Sequence, residues 1–209
     1  ITLRKAVMQY INNTIKDKNY RSVLDVGTGT GYWIPFFLDK NMKVTAIEPS
    51  KNMIEVAKKK YIEKVKFYNI KIEEFVNNEK FDIINVQGDV LSYVENLDYV
   101  MKKLSGLANN NGILFATVDS YYYMRKLIKK DGSKYELEKF DKSHIATVGS
   151  HYGVFNSRCF SIEDIMNLEK YGFKILEIRG CGISENLQKE ISYSEIKIKE
   201  AEHIYFSLL

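Results

Sequence analysis

The chain reads as a doubly wound α/β domain, with a mostly parallel, seven-stranded sheet and helices on both faces. Three observations predict it. Short apolar runs alternate with stretches of helical periodicity along the chain. The early runs are apolar at nearly every position, which calls for cover on both faces of a parallel sheet. The glycines Gly27, Gly29 and Gly31 sit directly between the first run and the next helical stretch.

The elements follow in order. Leu3, Val7, Met8, Ile11 and Ile15 recur at helical spacing, so the chain opens on an amphipathic helix. Residues 23–26 form the first buried strand, stopped by the glycines. Residues 32–38 suit a helix, with Pro35 tolerable in its first turn. A second strand covers 44–47, and Ser50 then caps a helix carrying Met53, Ile54 and Ala57 on one face. Residues 65–68 and 81–86 give the third and fourth strands. Leu97, Val100, Met101, Leu104 and Leu107 mark another amphipathic helix. A turn at 109–112 precedes a fifth strand at 113–118. Ser161-x-x-Asp164 is a capping box that opens a helix ending near Gly172. Residues 173–178 and 203–209 supply the sixth and seventh strands.

The 209 residues fit one domain, 1–209, large enough to bury a core. One stretch, 119–158, breaks the rhythm between the fifth strand and the helix that follows it. It holds Tyr121, Tyr122 and Tyr123, a charged segment over 129–142, and then His144, His151 and Tyr152. Long inserts in compact domains are commonly functional, and this one is expected to act as a lid.

Composition narrows the function. Hydrophobic residues are 45% and charged residues 28%, ordinary values for a soluble globular protein. No apolar run approaches the roughly 20 residues of a membrane span, so no membrane partner is expected. Cys159 and Cys181 lack metal-ligand spacing, which agrees with a reducing cytoplasm. The chain starts at Ile1, which leaves room for a preceding segment. The net charge of +4 comes from lysines scattered among glutamates, such as Lys58, Lys59, Lys60 and Glu63. That pattern describes solvated helix faces better than a nucleic-acid footprint.

The chemistry concentrates in Asp25-Val26-Gly27-Thr28-Gly29-Thr30-Gly31. Glycines between a strand and a helix let backbone turn sharply and approach a ligand, and the helix start offers free N–H groups. Glu48 ends the second strand, where a carboxylate can accept both hydroxyls of a ribose. The spacing Gly27-x-Gly29-x-Gly31 differs from the G-x-G-x-x-G of nicotinamide dehydrogenases.

With these motifs, the chain resembles the class I S-adenosylmethionine-dependent methyltransferases, which have a Rossmann-like fold. Residues 23–31 look like the family's first motif, 46–53 like its second, and 81–89 like its fourth-strand motif. The resemblance runs from about residue 20 to 118 and more loosely to 180. It implies S-adenosyl-L-methionine as cofactor, bound by Asp25, Gly27, Thr28, Gly29, Gly31, Tyr32, Glu48, Pro49, Met53, Ile72, Gln87 and Gly88. The glycine loop would take the methionine part, Glu48 the ribose and Met53 one face of the adenine. Gln87 and Gly88 would meet the amino end. One position departs: Lys71 stands where many members carry an Asp for the adenine amino group, leaving the backbone of Ile72, or Glu73, to serve.

Methyl transfer needs in-line alignment rather than a covalent enzyme intermediate. A hydroxyl or ammonium acceptor also needs a base. His144, His151 and Asp89 are the candidates for that base. Tyr32, Trp33 and Tyr93 are placed to face a sulfonium, and Tyr121–Tyr123 either line an acceptor pocket or fasten the lid. Asp89 and Asp119 follow neighbouring strands, but with no third ligand evident beside them no metal is expected. The expected acceptor is a small molecule, and the expected assembly a monomer or homodimer. An RNA methyltransferase is the alternative, although no separate RNA module and no Asn/Asp-Pro-Pro-Tyr segment are present. A binding module without catalysis is the other.

Overall fold

The structure is a computed structural model that describes residues 3–150, 153–181, 198–199 and 201–209. A seven-stranded sheet forms its centre, in the order β3-β2-β1-β4-β5-β9-β8. These are β1 (Ser22–Val26), β2 (Lys43–Ile47), β3 (Val65–Tyr68), β4 (Phe81–Val86), β5 (Ala108–Asp119), β8 (Ile175–Cys181) and β9 (His203–Leu208). The first five run parallel, while β9 lies antiparallel between β5 and β8. The expected mostly parallel, seven-stranded sheet is therefore what the chain adopts.

Successive residues of one strand feed opposite cores. Val23, Ile83 and Phe115 pack with α1 (Leu3–Ile15), α2 (Ile34–Leu38) and α3 (Lys51–Tyr61) through Ile11, Phe37 and Ala57. Leu24, Ile84 and Leu114 point the other way, toward Leu91 of α4 (Val90–Tyr93), Leu104 of α5 (Leu97–Leu107) and Ile165 of α8 (Ile162–Met166). β1, β2, β4, β9 and the second half of β5 are buried on both faces, which is why their sequences lack a polar alternation, whereas β3 at the sheet edge alternates.

Four details differ from the expectation. The second helix begins at Ile34, where Pro35 can occupy the first turn. The turn at 109–112 is absorbed into β5, whose pairing with β4 shifts register between Phe81 and Ile83. The capping box at Ser161 opens only a short α8, which tightens into a 3-10 turn (Asn167–Tyr171) closed by Gly172 at φ 91°. The sixth strand of the expected sheet, β8, starts at Ile175 and runs on to Cys181.

The insert is folded. It consists of α6 (Tyr121–Asp131), α7 (Lys134–Ser143) and a separate hairpin of β6 (Ile145–Ser150) and β7 (Gly153–Arg158). Phe140, Ala146 and Cys159 are its own small core, with Tyr121 and Met124 packed against them. Tyr121 stacks on Phe140, and the Tyr122 hydroxyl donates to Glu163 and accepts from the Ile162 amide. Of the two roles open to these tyrosines, Tyr121 and Tyr122 take that of fastening the insert. Among the described residues, no helix is long and apolar enough to cross a membrane.

Candidate functional site

In a sheet of this order, the crevice opens at the carboxyl ends of β1 and β4, where the strand order reverses. The glycine loop leaves β1 there. Gly27 (φ 70°) has no room for a side chain, because a Cβ would collide with Val90 of α4. Gly29 (φ 56°) is the opposite case: a Cβ there would meet no atom within 4 Å. It faces the open crevice.

Glu48, at the end of β2, is buried beside this loop. Its Oε2 accepts from the Gly29 amide at 2.9 Å, and its Oε1 from the Ser50 amide at 2.8 Å. Each oxygen retains a lone pair for a hydroxyl donor. Beneath the loop, Asp25 Oδ2 accepts from Thr28 Oγ1 at 2.5 Å, and Oδ1 from Asn85 Nδ2 at 2.7 Å. Burial pushes the Asp25 carboxyl up to about 6.

Two lobes meet at the loop. One, of about 350 Å³, is walled by Glu48, Pro49, Met53, Lys71, Ile72 and Tyr93, among others. The exposed Lys71 ammonium reaches Glu95 at 2.9 Å across its rim. The other, of about 430 Å³, is walled by Arg4, Thr28, Tyr32, Trp33, Gln87, Asp89, Thr117 and His203, among others. Gly27, Gly29, Met53 and Gly88 line both, so the lobes form one bent crevice.

The second lobe ends on a charged cluster. Gly88 (φ 82°) and Asp89 (φ 61°) are both left-handed, and their amides donate to Thr117 Oγ1. Because β9 runs antiparallel, its first residue, His203, lands opposite Asp119, the last residue of β5. His203 Nδ1 lies 3.2 Å from Asp89 Oδ2 and 3.5 Å from Asp119 Oδ1. These are ion-pair separations, although the ring N–H is not aligned for a hydrogen bond to either oxygen. Asp119 and Asp89 push the imidazole up to about 10, against its burial. Burial raises the Asp119 carboxyl, but His203, Ser157 and Tyr93 together outweigh it and hold it below the usual range. Ser157 of β7 donates to Asp119 Oδ2 at 2.5 Å, which brings the insert into the cluster. Burial and the neighbouring Asp119 push the Tyr93 phenol up to about 12.

Most of the sequence-derived residues converge. Gly27, Thr28, Gly29, Tyr32, Glu48, Pro49, Met53, Ile72, Gln87, Gly88 and Asp89 all line the crevice. Asp25 does not line it; it braces the loop from below. Gly31 also lies off the wall; a Cβ there would press on Ile34, Tyr61 and Ala57. The Tyr32 ring is already covered by the Arg4 guanidinium, 4.3 Å from its centroid. His144 is not part of this crevice. It caps α7, lies 2.7 Å from Asp164 and lines a different hollow with Lys142 and Arg158. His151 lies outside the described residues. Sequence reasoning missed His203. Its place at the start of a strand was visible, but the direction of that strand was not.

The comparisons with known proteins fit this geometry. A family described as methyltransferase domain matches residues 2–178. The chain belongs to that family. The methyltransferase domain is 31% identical over 117 residues to a malonyl-[acyl-carrier protein] O-methyltransferase of Acetivibrio thermocellus, covering 52% of this chain and 41% of that protein. It is 31% identical over 134 residues to a ubiquinone biosynthesis O-methyltransferase of Pelagibacter ubique, covering 56% and 55%. It thus spans about half the length of these two relatives. An S-adenosylmethionine-dependent methyltransferase structure from Clostridium acetobutylicum superposes with TM-score 0.71 at 20% identity, covering 98% of this chain and 90% of that one. At that identity the likeness is one of fold.

Proposed function

We propose that this domain transfers a methyl group from S-adenosylmethionine to a hydroxyl oxygen of a small molecule. The observation that carries the reading is the single crevice running from Glu48, past the unfilled space at Gly29, to the Asp89–His203–Asp119 cluster. The residues present fit the cofactor. Glu48 has lone pairs for a ribose, and Ile72 and Met53 offer apolar walls to an adenine.

When bound, S-adenosylmethionine supplies an electrophilic methyl group on a sulfonium. The protein's part is positioning. The Gly29 and Ser50 amides fix the Glu48 carboxylate, and Asp25 fixes the turn below it. The second lobe holds the acceptor, with the carboxylate of Asp89 at its end to take up the proton the hydroxyl loses. The contact of Ser157 with Asp119 supports a lid role for the insert at this end of the lobe. Support for an oxygen acceptor comes from the two relatives, both named O-methyltransferases.

Calorimetric titration with S-adenosylhomocysteine, with NAD as control, tests the cofactor site. Micromolar binding of the first and none of the second is expected. Gly29→Val would place methyls in the open space at a strained φ and abolish that binding; full retention would remove the glycine loop from the site.

A further inference from the structure

The cluster at the end of the second lobe has a property that proton transfer does not require. One oxygen from Asp89, one from Asp119 and a ring nitrogen of His203 all lie within 4.8 Å of one another. Nδ1 stands 3.2 Å and 3.5 Å from the two carboxylate oxygens. Bonds of about 2.0–2.2 Å to a shared ion put adjacent ligand atoms roughly 3.0–3.5 Å apart. The spacing of Nδ1 to each carboxylate oxygen is that of adjacent ligands on one centre.

Two further facts indicate a polar occupant. Asp89 Oδ1 is buried without a protein hydrogen-bond partner. Gln87, 4% exposed, lines the same cavity as Asp89 and His203, and neither its amide oxygen nor its amide nitrogen has a partner. Buried polar atoms left without partners are costly, so such a cavity is built to be filled by something polar.

We propose that Asp89, Asp119 and His203 bind one divalent cation at the acceptor end of the crevice, the imidazole releasing its proton to solvent as the ion replaces it between the carboxylates. Two carboxylates neutralise its charge, so a cationic cofactor next to it meets little net repulsion. Two oxygens and an imidazole suit manganese or zinc better than calcium, which prefers oxygen alone. Three protein ligands leave positions open for a substrate oxygen, and a cation there would lower the pKa of an acceptor hydroxyl. That use of the ion rests on the methyltransferase reading above; the site itself stands on the ligand geometry.

Titration of the whole chain with Mn²⁺, following the paramagnetic resonance signal of the free ion, tests the proposal. Saturable binding of one ion per chain is expected, weakened at least about tenfold in both His203→Leu and Asp119→Asn. Binding of S-adenosylhomocysteine by the same variants checks that they are folded. Absence of saturable binding in the wild type overturns the proposal, and the cluster is then a clamped imidazolium. Equal binding in wild type and both variants overturns it too, as the ion then sits elsewhere. If Asp119→Asn fails to fold, His203→Leu alone decides. Mn²⁺ binding without nucleoside binding would leave the cation site standing and remove the cofactor reading; the converse would do the reverse.

Discussion

At the residue scale, Asp25 and Glu48 show two uses of a buried carboxylate. Asp25 has surrendered its solvent to hold the turn, and its folded-state pKa of about 6 exceeds the ordinary 3.8. Between those values the folded protein keeps a proton that the unfolded chain has released. The contribution to stability is therefore complete below the lower value and lost as pH rises through the upper one, on the order of 3 kcal/mol. Asn can still accept from Asn85 and donate to the Thr28 hydroxyl. Thermal melts at stepped pH should show Asp25→Asn gaining on the wild type between pH 4 and 6. Parallel curves for the two proteins would mean that Asp25 is ionised throughout. Glu48 is tied on one side to backbone amides and free on the other. Glu48→Ala should weaken S-adenosylhomocysteine binding by about 1–3 kcal/mol, the usual scale for a hydrogen bond to a charged group, read by calorimetry. Glu48 was legible because its setting is local, a strand end beside a turn; Asp25 was picked out by the same motif, but as a cofactor contact rather than as the brace beneath the loop. His203 was not, since nothing near it in the chain foretells Asp119 as its cross-strand neighbour.

At the scale of elements, the insert behaves as a unit with its own core, separate from the two that flank the sheet. Truncating its centre should therefore act locally. Phe140→Ala should cost about 3–5 kcal/mol within the insert. Amide hydrogen exchange should speed up across residues 121–149 and 153–158, while β1 and β2 stay protected. Uniform acceleration would show the insert to be part of the main cooperative unit. The two helices of the insert escaped the sequence reading for a physical reason. Described residues of α6 are never fully buried, and α7 buries only Phe140, so neither shows a wide apolar stripe. A start signal was present all the same: Ser133-x-x-Glu136 forms a capping box, as Ser161-x-x-Asp164 does. The central strands β1, β2 and β4 were legible because each is covered on both sides and so reads as a nearly continuous apolar run. The sequence at 109–112 misled because Asn and Gly that favour a turn here lie within a long, irregular strand.

At the scale of the whole molecule, cofactor binding and folding are one equilibrium. Filling the crevice with S-adenosylhomocysteine at about a hundred times its dissociation constant should raise unfolding free energy by about 2.7 kcal/mol, measured by denaturant titration. No rise, with calorimetric binding intact, would mean that the unfolded chain binds as well. The fold class was legible because alternation of strand and helix is written along the chain. The neighbours of the last strand are a matter of three-dimensional order, which no local pattern carries. That order has a consequence for biosynthesis. The side of the crevice built on the glycine loop and Glu48 is synthesised early in the chain. The other side waits for His203, and until β9 inserts, β5 and β8 have no strand between them. A nascent chain stalled in that interval would expose two unpaired edges, the kind of surface that chaperones shield and that aggregates form from.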